Sequence, residues 1–481
     1  LRVEHWLADL AVGGIDVRGA RVRWEDRRHG RHMDIKNLYI DTDAILPRRP
    51  ITMRARADVT ADPLGLRGHV DLHGLGLADP AAGVYGVDDL HVMADVSGPP
   101  VPVKGGAAGK LRGKLRYEAG KGVVTLSDID GEVLGATVDG HLEAEQLTAS
   151  PAVLGALDVG RVNVRKVIDA FRDQPIITED SDVLGTATAK IGFDLNSLRL
   201  NLRYIHLEMD DSIVNGTAEI ADLGRPRATF RLYIDTVNLD RYLPPSADDE
   251  DAPATPGAVL AAAAGRLPFA ALRALNLDGE IGVGALKAGG LHIRDVKLPL
   301  QAHGGVLALQ PQARLYGGGY RGDIGLDARR DTPRLAFDEH VDAVQLGPFL
   351  TDLTGQGVVS GVATVHTRFS CRGGPGRLLS SLDGTAHFDV KDGAVHGLDV
   401  PGLIAAAKAG LNGDTPPAPK ADPHTDFTSL TGTVVAHNGV LSNDDLAGEA
   451  PFMRVSGKGS VNLASRAVDY VSKVTFIDGP S

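Results

Sequence analysis

The chain has 481 residues, of which 50 are Lys or Arg and 62 are Asp or Glu, giving a formal net charge of −12. The absence of a long basic run argues against nucleic-acid binding, which needs clustered cations for the phosphates. Cys371 is the single cysteine, which excludes an internal disulfide, and no apolar run approaches the ~18 residues of a membrane span.

The composition predicts a mainly β protein. Glycine (59) and proline (27) are abundant, and aromatic residues make up only 5% of the chain. This combination is typical of many short strands joined by turns and lined by aliphatic side chains. Alternation of apolar and polar residues with a period of two, which marks a strand with two unlike faces, recurs along most of the sequence.

The N-terminal part already has this strand-like pattern. The chain begins at Leu1 without a signal peptide, and we expect its N-terminus to be truncated. "WEDRRHGRH" (24–32) predicts a solvated basic hairpin tip, with contact to anionic headgroups as the alternative. "GGAAGKL" (105–111) resembles a phosphate loop, but its glycine spacing is wrong and no Ser or Thr follows Lys110.

A change of strand face is predicted between residues 198 and 209. The alternation first places Leu198, Leu200, Leu202 and Tyr204 on one face, and then Ile205, Leu207 and Met209. A β-bulge that re-aims the strand explains this slip by one residue. "LEMDDS" (207–212) carries three carboxylates but is too short for an EF-hand loop, so a strand end and turn is favoured over a calcium site.

A weak repeat and two proline-rich linkers organise the chain. The repeat occurs at 161–168, 236–243 and 343–350, and it indicates a unit of several strands closed by a short helical turn. One linker precedes a predicted helix within 258–275, and the other follows a predicted helix at 398–411. The predicted regions are an N-terminal β region (1–150), a middle β region with the repeats (151–243), an acidic linker (244–257), a C-terminal β region with flanking helices (258–411), a second linker (412–425) and a terminal β segment (426–481).

A second change of face is predicted in "LHIRDVKLPL" (291–300). Leu291 and Ile293 share a face, the phase slips at Arg294-Asp295, and Val296, Leu298 and Leu300 follow. Hairpin turns are predicted at "HGG" (303–305), "KDG" (391–393) and "HNG" (437–439). The turn at "KDG" would place His396 on the return strand.

The sequence contains no convincing enzymatic motif. "GGGYRG" (317–322) satisfies the dinucleotide pattern G-x-G-x-x-G, but "DIGLDA" follows it as a strand, whereas a helix is required there. G-x-S-x-G and H-E-x-x-H are both absent. We therefore expect a non-enzymatic protein without a cofactor.

The stretch "GTAHFDVKDGAVHGL" (384–398) holds His387, Asp389, Asp392 and His396, and so raises the question of a metal site. The alternation places His387 and Asp389 on one face of a strand, and Phe388 and Val390 on the other. A flat exposed face without a third strong ligand is a poor zinc site, so a solvated strand face is favoured and no metal is expected.

The apolar faces of these strands need a cover, and little helical sequence is available to supply one. Two architectures satisfy the pattern equally well. One is a closed β-sandwich or barrel, and the other is a curled sheet whose inner face stays open as an apolar groove for aliphatic chains.

Three blocks of the sequence resemble the AsmA family. The first is 275–329, with Leu277-Asp278-Gly279, Gly290-Leu291, Gly305 and Leu315-Tyr316-Gly317-Gly318; the others are 379–400 and 426–470. Residues 15–40 resemble the family's opening strands, and the "VNL" units fit its internal repeats.

This resemblance implies the fold of the bridge-like lipid transfer superfamily: mainly β, with a long, twisted and curled antiparallel sheet forming a groove, and a few short helices. It also implies a periplasmic protein of a Gram-negative bacterium, anchored in the inner membrane by an N-terminal helix that is missing here. Phospholipid would be the principal partner, with outer-membrane assembly components as further partners. Acyl chains would contact an aliphatic groove predicted to include Leu198, Leu200, Leu202, Leu207, Met209, Leu291, Ile293, Leu298, Leu307, Leu309, Ile324, Leu326, Phe388 and Val390.

The expected function is therefore phospholipid binding and transport in support of outer-membrane biogenesis. The alternative is a scaffold that holds outer-membrane proteins through exposed strand edges. A third possibility, an enzyme using the His/Asp stretch, would require an activity that is lost in His387→Ala and retained in Phe388→Ala.

Overall fold

A computed structural model describes residues 13–477 except 27–30, 46–48, 63–64, 99–100, 102–105, 146–151, 172–174, 197, 224–225, 246–268, 374–377, 413–414, 416–417, 419–420 and 452. The chain divides into two compact units, Leu1–Pro226 and Arg227–Ser481. Each unit consists mostly of antiparallel β-sheet with a few short helices. The prediction of a mainly β, antiparallel fold is confirmed.

Unit 1 is an antiparallel meander in which the described strands pair in chain order, from β1 with β2 to β11 with β12. The strands are β1 Asp16–Asp26, β2 Arg31–Thr42, β3 Ile51–Asp62, β4 Leu66–Asp79, β5 Val84–Ser97, β6 Ala107–Glu118, β7 Val123–Val133, β8 Ala136–Glu145, β9 Ala152–Val162, β10 Ala187–Asn196, β11 Arg199–Met209 and β12 Ser212–Ile220.

Unit 2 begins with a parallel pair of strands and then continues antiparallel. Two short strands, Val306–Leu309 and Gln312–Leu315, both pair with Leu291–His303 on one side and with Gly318–Asp327 on the other, so they share one position in the sheet. The strands are β13 Ala228–Asn238, β14 Asn276–Ala288, β15 Leu291–His303, β16 Val306–Leu309, β17 Gln312–Leu315, β18 Gly318–Asp327, β19 Arg334–Gln345, β20 Val362–Arg372, β21 Asp383–His396, β22 His424–His437, β23 Val440–Ala450, β24 Met453–Asn462 and β25 Val468–Phe476.

The division between the units falls at residues 226/227, so the acidic linker predicted at 244–257 lies within the range of unit 2. Strand β13 ends before this linker and β14 begins after it, and the two strands pair with each other, which places both in unit 2. The linker therefore connects two strands of unit 2, and most of it lies outside the described residues.

Each copy of the weak repeat ends a strand and starts a helical turn, as predicted. The helix Val164–Phe171 follows β9, the 3₁₀ turn Leu239–Arg241 follows β13, and the helix Leu346–Thr354 follows β19. Asn163 Oδ1 accepts a hydrogen bond from the Lys166 amide at 2.9 Å, and Asn238 Oδ1 accepts one from the Asp240 amide at 3.2 Å. These asparagines cap amides that the first turn leaves unpaired.

The predicted helix at 398–411 is present as Val400–Asn412. The described part of the helix predicted within 258–275 is Phe269–Ala274, and a 3₁₀ turn spans Leu379–Ser381. Two of the predicted hairpin turns are confirmed: β15 turns into β16 at "HGG", and β22 turns into β23 at "HNG". Both turns have two successive residues with positive φ, which is the geometry of tight hairpins.

The predicted turn at "KDG" is wrong. Strand β21 runs through it, and His396 lies on the same strand as His387. Asp392 takes a φ of 49°, while Lys391 pairs with Ser429 before it and Gly393 pairs with Phe427 after it. An Asp-Gly pair favours a residue in the left-handed backbone conformation, which occurs in hairpin turns and in bulges alike. The pair therefore did not distinguish a turn from a continuous strand.

Bulges of this kind recur in unit 1. The register shifts at Gly19 in β1, Asn37 in β2, Asp89 in β5 and Asp128 in β7, and each of these residues has a φ between 46° and 65°. Asn, Asp and Gly are the residues that tolerate this conformation best. A bulge increases the local twist and re-aims the rest of the strand.

Candidate functional site

The most extensive feature of unit 1 is a face built almost entirely of apolar residues, here called apolar face 1. Register partners lie on the same side of a sheet. From β3 to β12, the paired positions on this side are aliphatic, aromatic, Met, Ala or Gly, and Ser212 is the exception among them. One row across β9, β10 and β11 consists of Leu157, Ile191 and Ile205.

Apolar face 1 is open across β9, β10 and β11. A second sheet packed against it would bury its central side chains completely. On β9 to β11, Leu157, Ile191, Phe193 and Leu202 are instead only half-buried. On β5 and β7 the side is more enclosed, since Leu90 and Ile129 are each 4% exposed. Between the two architectures that the sequence left open, the half-burial on β9 to β11 favours an open apolar surface in this part of unit 1.

The predicted change of face in β11 is present, one residue earlier than predicted. The register shifts between Leu202 and Ile205, and Tyr204 pairs with Gly192 on the polar side. Tyr204 therefore does not belong with the apolar residues that precede it, which corrects the face assigned to it.

The predicted groove residues of this region mostly lie together. Leu200, Leu202, Leu207 and Met209 all occupy apolar face 1, whereas Leu198 lies in the turn before β11 and is exposed. Contact of these residues with lipid remains a prediction.

Unit 2 has a corresponding side, here called apolar face 2. Across β20, β21 and β22 it includes the row Val365, Phe388 and Gly432 and the row Ala363, Val390 and Leu430. The ring of Phe388 extends over Gly432, since a β-carbon at Gly432 would meet the Phe388 Cζ at 2.8 Å. The predicted groove residues Phe388 and Val390 thus lie on one apolar surface, with Phe388 half-buried and Val390 buried.

One end of apolar face 2 is closed by the chain itself. Leu272, from the helix Phe269–Ala274, is 4% exposed and joins a buried cluster with Ile324 and Leu326, which are 7% and 5% exposed. Leu307 and Leu309 pack against this cluster. These four predicted groove residues (Leu307, Leu309, Ile324 and Leu326) therefore belong to a packed core and not to an open surface.

The groove residues predicted on β15 lie on either side of a bulge-like residue. Asp295 has a φ of 52°, at the predicted slip. Leu291 is buried at the start of β15, a strand that contacts the helix Leu346–Thr354, and Ile293 and Leu298 are half-buried. The slip is thus confirmed, while lipid contact at Leu291, Ile293 and Leu298 remains a prediction.

A polar pair interrupts apolar face 2, and the sequence reasoning missed it. Glu339 lies on the same side of β19 as Leu335 and Phe337. Its Oε1 accepts a hydrogen bond from the Tyr320 hydroxyl at 3.1 Å. Burial raises the pKa of the Glu339 carboxyl, and it also raises the pKa of Tyr320. The signal available in the sequence was the acidic residue at an apolar position of "RLAFDEHV".

We expect Glu339→Gln to stabilise unit 2 at neutral pH. The pKa of Glu339 is higher in the folded protein than in the unfolded chain, so as the pH rises the unfolded chain loses this proton at a lower pH. The free energy of unfolding therefore falls as the pH rises from the pKa of the unfolded chain to that of the folded protein. Glutamine has no proton to lose and still accepts a hydrogen bond from Tyr320. Thermal melts at neutral pH should show a higher melting temperature for the variant, by about 2–4 °C for each kcal/mol gained.

The difference in melting temperature between the wild type and Glu339→Gln should shrink at about pH 4, where the Glu339 carboxyl is largely protonated in both the folded and the unfolded state. An equal shift at both pH values would contradict this explanation and attribute the effect to packing.

The opposite side of each sheet is charged and solvated. In the stretch that raised the question of a metal, His387 Nδ1 lies 3.4 Å from Thr433 Oγ1, Asp389 pairs with Lys391 at 3.4 Å, and His396 Nε2 lies 3.2 Å from Ser360 Oγ. These side chains use separate partners and do not converge. The prediction that His387 and Asp389 share one face of a strand, with Phe388 and Val390 on the other, is confirmed.

The other motifs also have structural roles. Residues 317–322 form a turn and the start of β18, and residues 207–212 form the end of β11, a turn and the start of β12. Neither motif precedes a helix. None of the described helices has the length and apolar content that a bilayer crossing requires.

Comparisons with known proteins identify the family of this chain and a relative. A family model described as the AsmA family matches residues 170–446. Protein AsmA of Escherichia coli (strain K12) is 24% identical over 293 residues, which cover 58% of this chain and 48% of that protein. The chain thus spans about half the length of the curated relative that it matches.

Proposed function

The chain belongs to the AsmA family, and on this premise we propose that it binds phospholipid acyl chains along its apolar faces. It acts without catalysis in the envelope of a Gram-negative bacterium, in the periplasm and attached to the inner membrane, and supports outer-membrane biogenesis by carrying lipid. The observation that supports this proposal most directly is apolar face 1, which is almost entirely apolar from β3 to β12 and is half-buried at Leu157, Ile191 and Leu202.

The energetics of such a surface suit a carrier of aliphatic chains. Each buried methylene contributes about 0.8 kcal/mol, so contact along part of an acyl chain is enough to retain a lipid. An apolar surface made of aliphatic side chains offers no directional polar contacts, so neighbouring positions hold a chain about equally well. A bound lipid can therefore move along the rows without crossing a specific binding site.

The polar sides account for solubility. In unit 1 they carry cross-strand ion pairs such as Lys110 with Glu132 at 2.7 Å and Lys114 with Asp128 at 2.8 Å. Exposed pairs of this kind contribute little to stability. They keep one side of the sheet hydrated while the other side stays available to lipid.

Site-specific photo-crosslinking in cells tests the proposal. A photoreactive residue is placed in turn at Phe388 and at His387, which are neighbours on β21 and lie on opposite sides of the sheet. We expect phospholipid adducts at position 388 and none at position 387.

Comparison of the adducts at positions 387 and 388 distinguishes the lipid carrier from the alternatives. Protein adducts at both positions without lipid would favour the scaffold function and overturn the carrier. Lipid adducts of equal yield at both positions would show that capture does not depend on the apolar face.

A further inference from the structure

Three potential metal ligands converge on the polar side of unit 2, away from apolar face 2. Asp338 and His340 are two residues apart on β19, so they lie on the same side of the sheet. His366, on β20, is the register partner of His340. The sequence gives no hint of this cluster, because its members come from strands separated by a helix and a loop.

The distances among these side chains fit a small metal ion. Asp338 Oδ1 lies 2.9 Å from His366 Nε2 and 3.8 Å from His340 Nδ1, and the three ligand atoms all lie within 4.8 Å of one another. Ligands in a tetrahedral zinc site with bonds of ~2.0–2.1 Å are about 3.3 Å apart. Small rotations of the side chains bring the observed distances to that value.

The surroundings prepare Asp338 to act as a ligand. Arg368 donates hydrogen bonds to Oδ2 of Asp338 from Nε at 2.8 Å, and its Nη2 lies 2.6 Å from the same oxygen. Oδ1 therefore remains directed at the two imidazoles. Partners of this kind orient metal ligands in known sites.

The imidazoles are also arranged side by side. The rings of His340 and His366 stack with centroids 3.8 Å apart and an angle of 27° between their planes. Stacking aligns the ring edges, so one nitrogen of each ring can face the same point. All three ligand residues are half-buried, which leaves a further coordination position open to water.

We propose that Asp338, His340 and His366 bind one divalent transition-metal ion of the zinc class. Two imidazole nitrogens and one carboxylate suit zinc or a neighbouring ion, whereas calcium and magnesium prefer sites made wholly of oxygen ligands. The ion links β19 to β20 on the polar side. The proposal is independent of lipid binding, because it concerns the opposite side of the sheet.

Titration of the metal-free full chain with zinc chloride, followed by calorimetry, tests the site. We expect one site of defined stoichiometry, and we expect His366→Ala and Asp338→Asn each to weaken it by at least about tenfold. Cobalt(II) added in place of zinc should give the visible absorption bands of a tetrahedral site in the wild type and lose them in both variants.

His206→Ala is the matched control. His206 lies on the polar side of unit 1, with Glu208 at 3.2 Å and Asn215 at 2.7 Å, so it combines a histidine with a carboxylate but lacks the second imidazole. This variant should retain full affinity. Equal loss in His206→Ala and His366→Ala, or binding without defined stoichiometry, would overturn the proposal; unchanged thermal melts of the metal-free variants exclude misfolding as the cause.

Discussion

Replacing Leu157 by aspartate is expected to slow phospholipid transfer between vesicles by at least about tenfold. Leu157 lies in the middle of apolar face 1, between Gly140 and Ile191. A carboxylate at this point loses its hydration when an acyl chain covers it, and this cost is paid only in the lipid-bound state. An added barrier of about 1.4 kcal/mol already corresponds to a tenfold slower step. Because the face is open to water, the aspartate remains hydrated in the lipid-free protein and the fold should survive.

Ala156→Asp provides the control for this prediction. Ala156 is the neighbour of Leu157 on β9 but lies on the polar side, with His141 and Gly192 as its register partners. The same carboxylate is introduced there beside a histidine and away from the lipid surface. Transfer by this variant should equal that of the wild type. Equal slowing in both variants would point to a disturbed sheet and against a role for apolar face 1.

The second prediction concerns the closed end of apolar face 2. We expect Leu326→Ala to lower the free energy of unfolding of unit 2 by about 2–5 kcal/mol, which is the range for removing a buried leucine side chain from a packed core. Leu326 is 5% exposed and shares its cluster with Leu272 and Leu335. The measurement is denaturant unfolding with a probe in unit 2, since two units need not unfold together.

Leu403→Ala makes the same chemical change at a position that is 61% exposed, in the helix Val400–Asn412. It should alter the stability by no more than about 0.5 kcal/mol. A similar small effect in Leu326→Ala, accompanied by a loss of bound lipid, would return Leu326 to the lipid surface predicted from the sequence.

The sequence was sufficient to predict most of the residues that share a strand face, because that depends only on a period of two and on where it slips. Tyr204, next to a slip, was assigned to the wrong face. The slips near Tyr204 and at Asp295 were both visible as breaks in the alternation. It was not sufficient to predict what covers a face. Leu326 and Leu202 have the same alternation, yet one is buried under a helix and the other lies on an open surface.

Contacts across the sheet also escaped prediction. His340 and His366 are adjacent because of the β19–β20 register, and this register follows from the connection between the strands. The hairpin turn predicted from Asp392-Gly393 was wrong for a different reason, since a residue with positive φ occurs in hairpin turns and in bulges alike. In each case the missing information lies in the tertiary structure.

The chain-order pairing of unit 1 allows the sheet to become wider or narrower by whole hairpins. Every described strand from β2 to β11 has its neighbours in the chain as its neighbours in the sheet. Inserting or deleting one hairpin therefore leaves all other pairings and the alternation of sides intact, and it changes the width of the sheet by about 10 Å at ~4.8 Å per strand. Evolution can adjust the reach of this surface in hairpin steps, as it adjusts the length of repeat proteins.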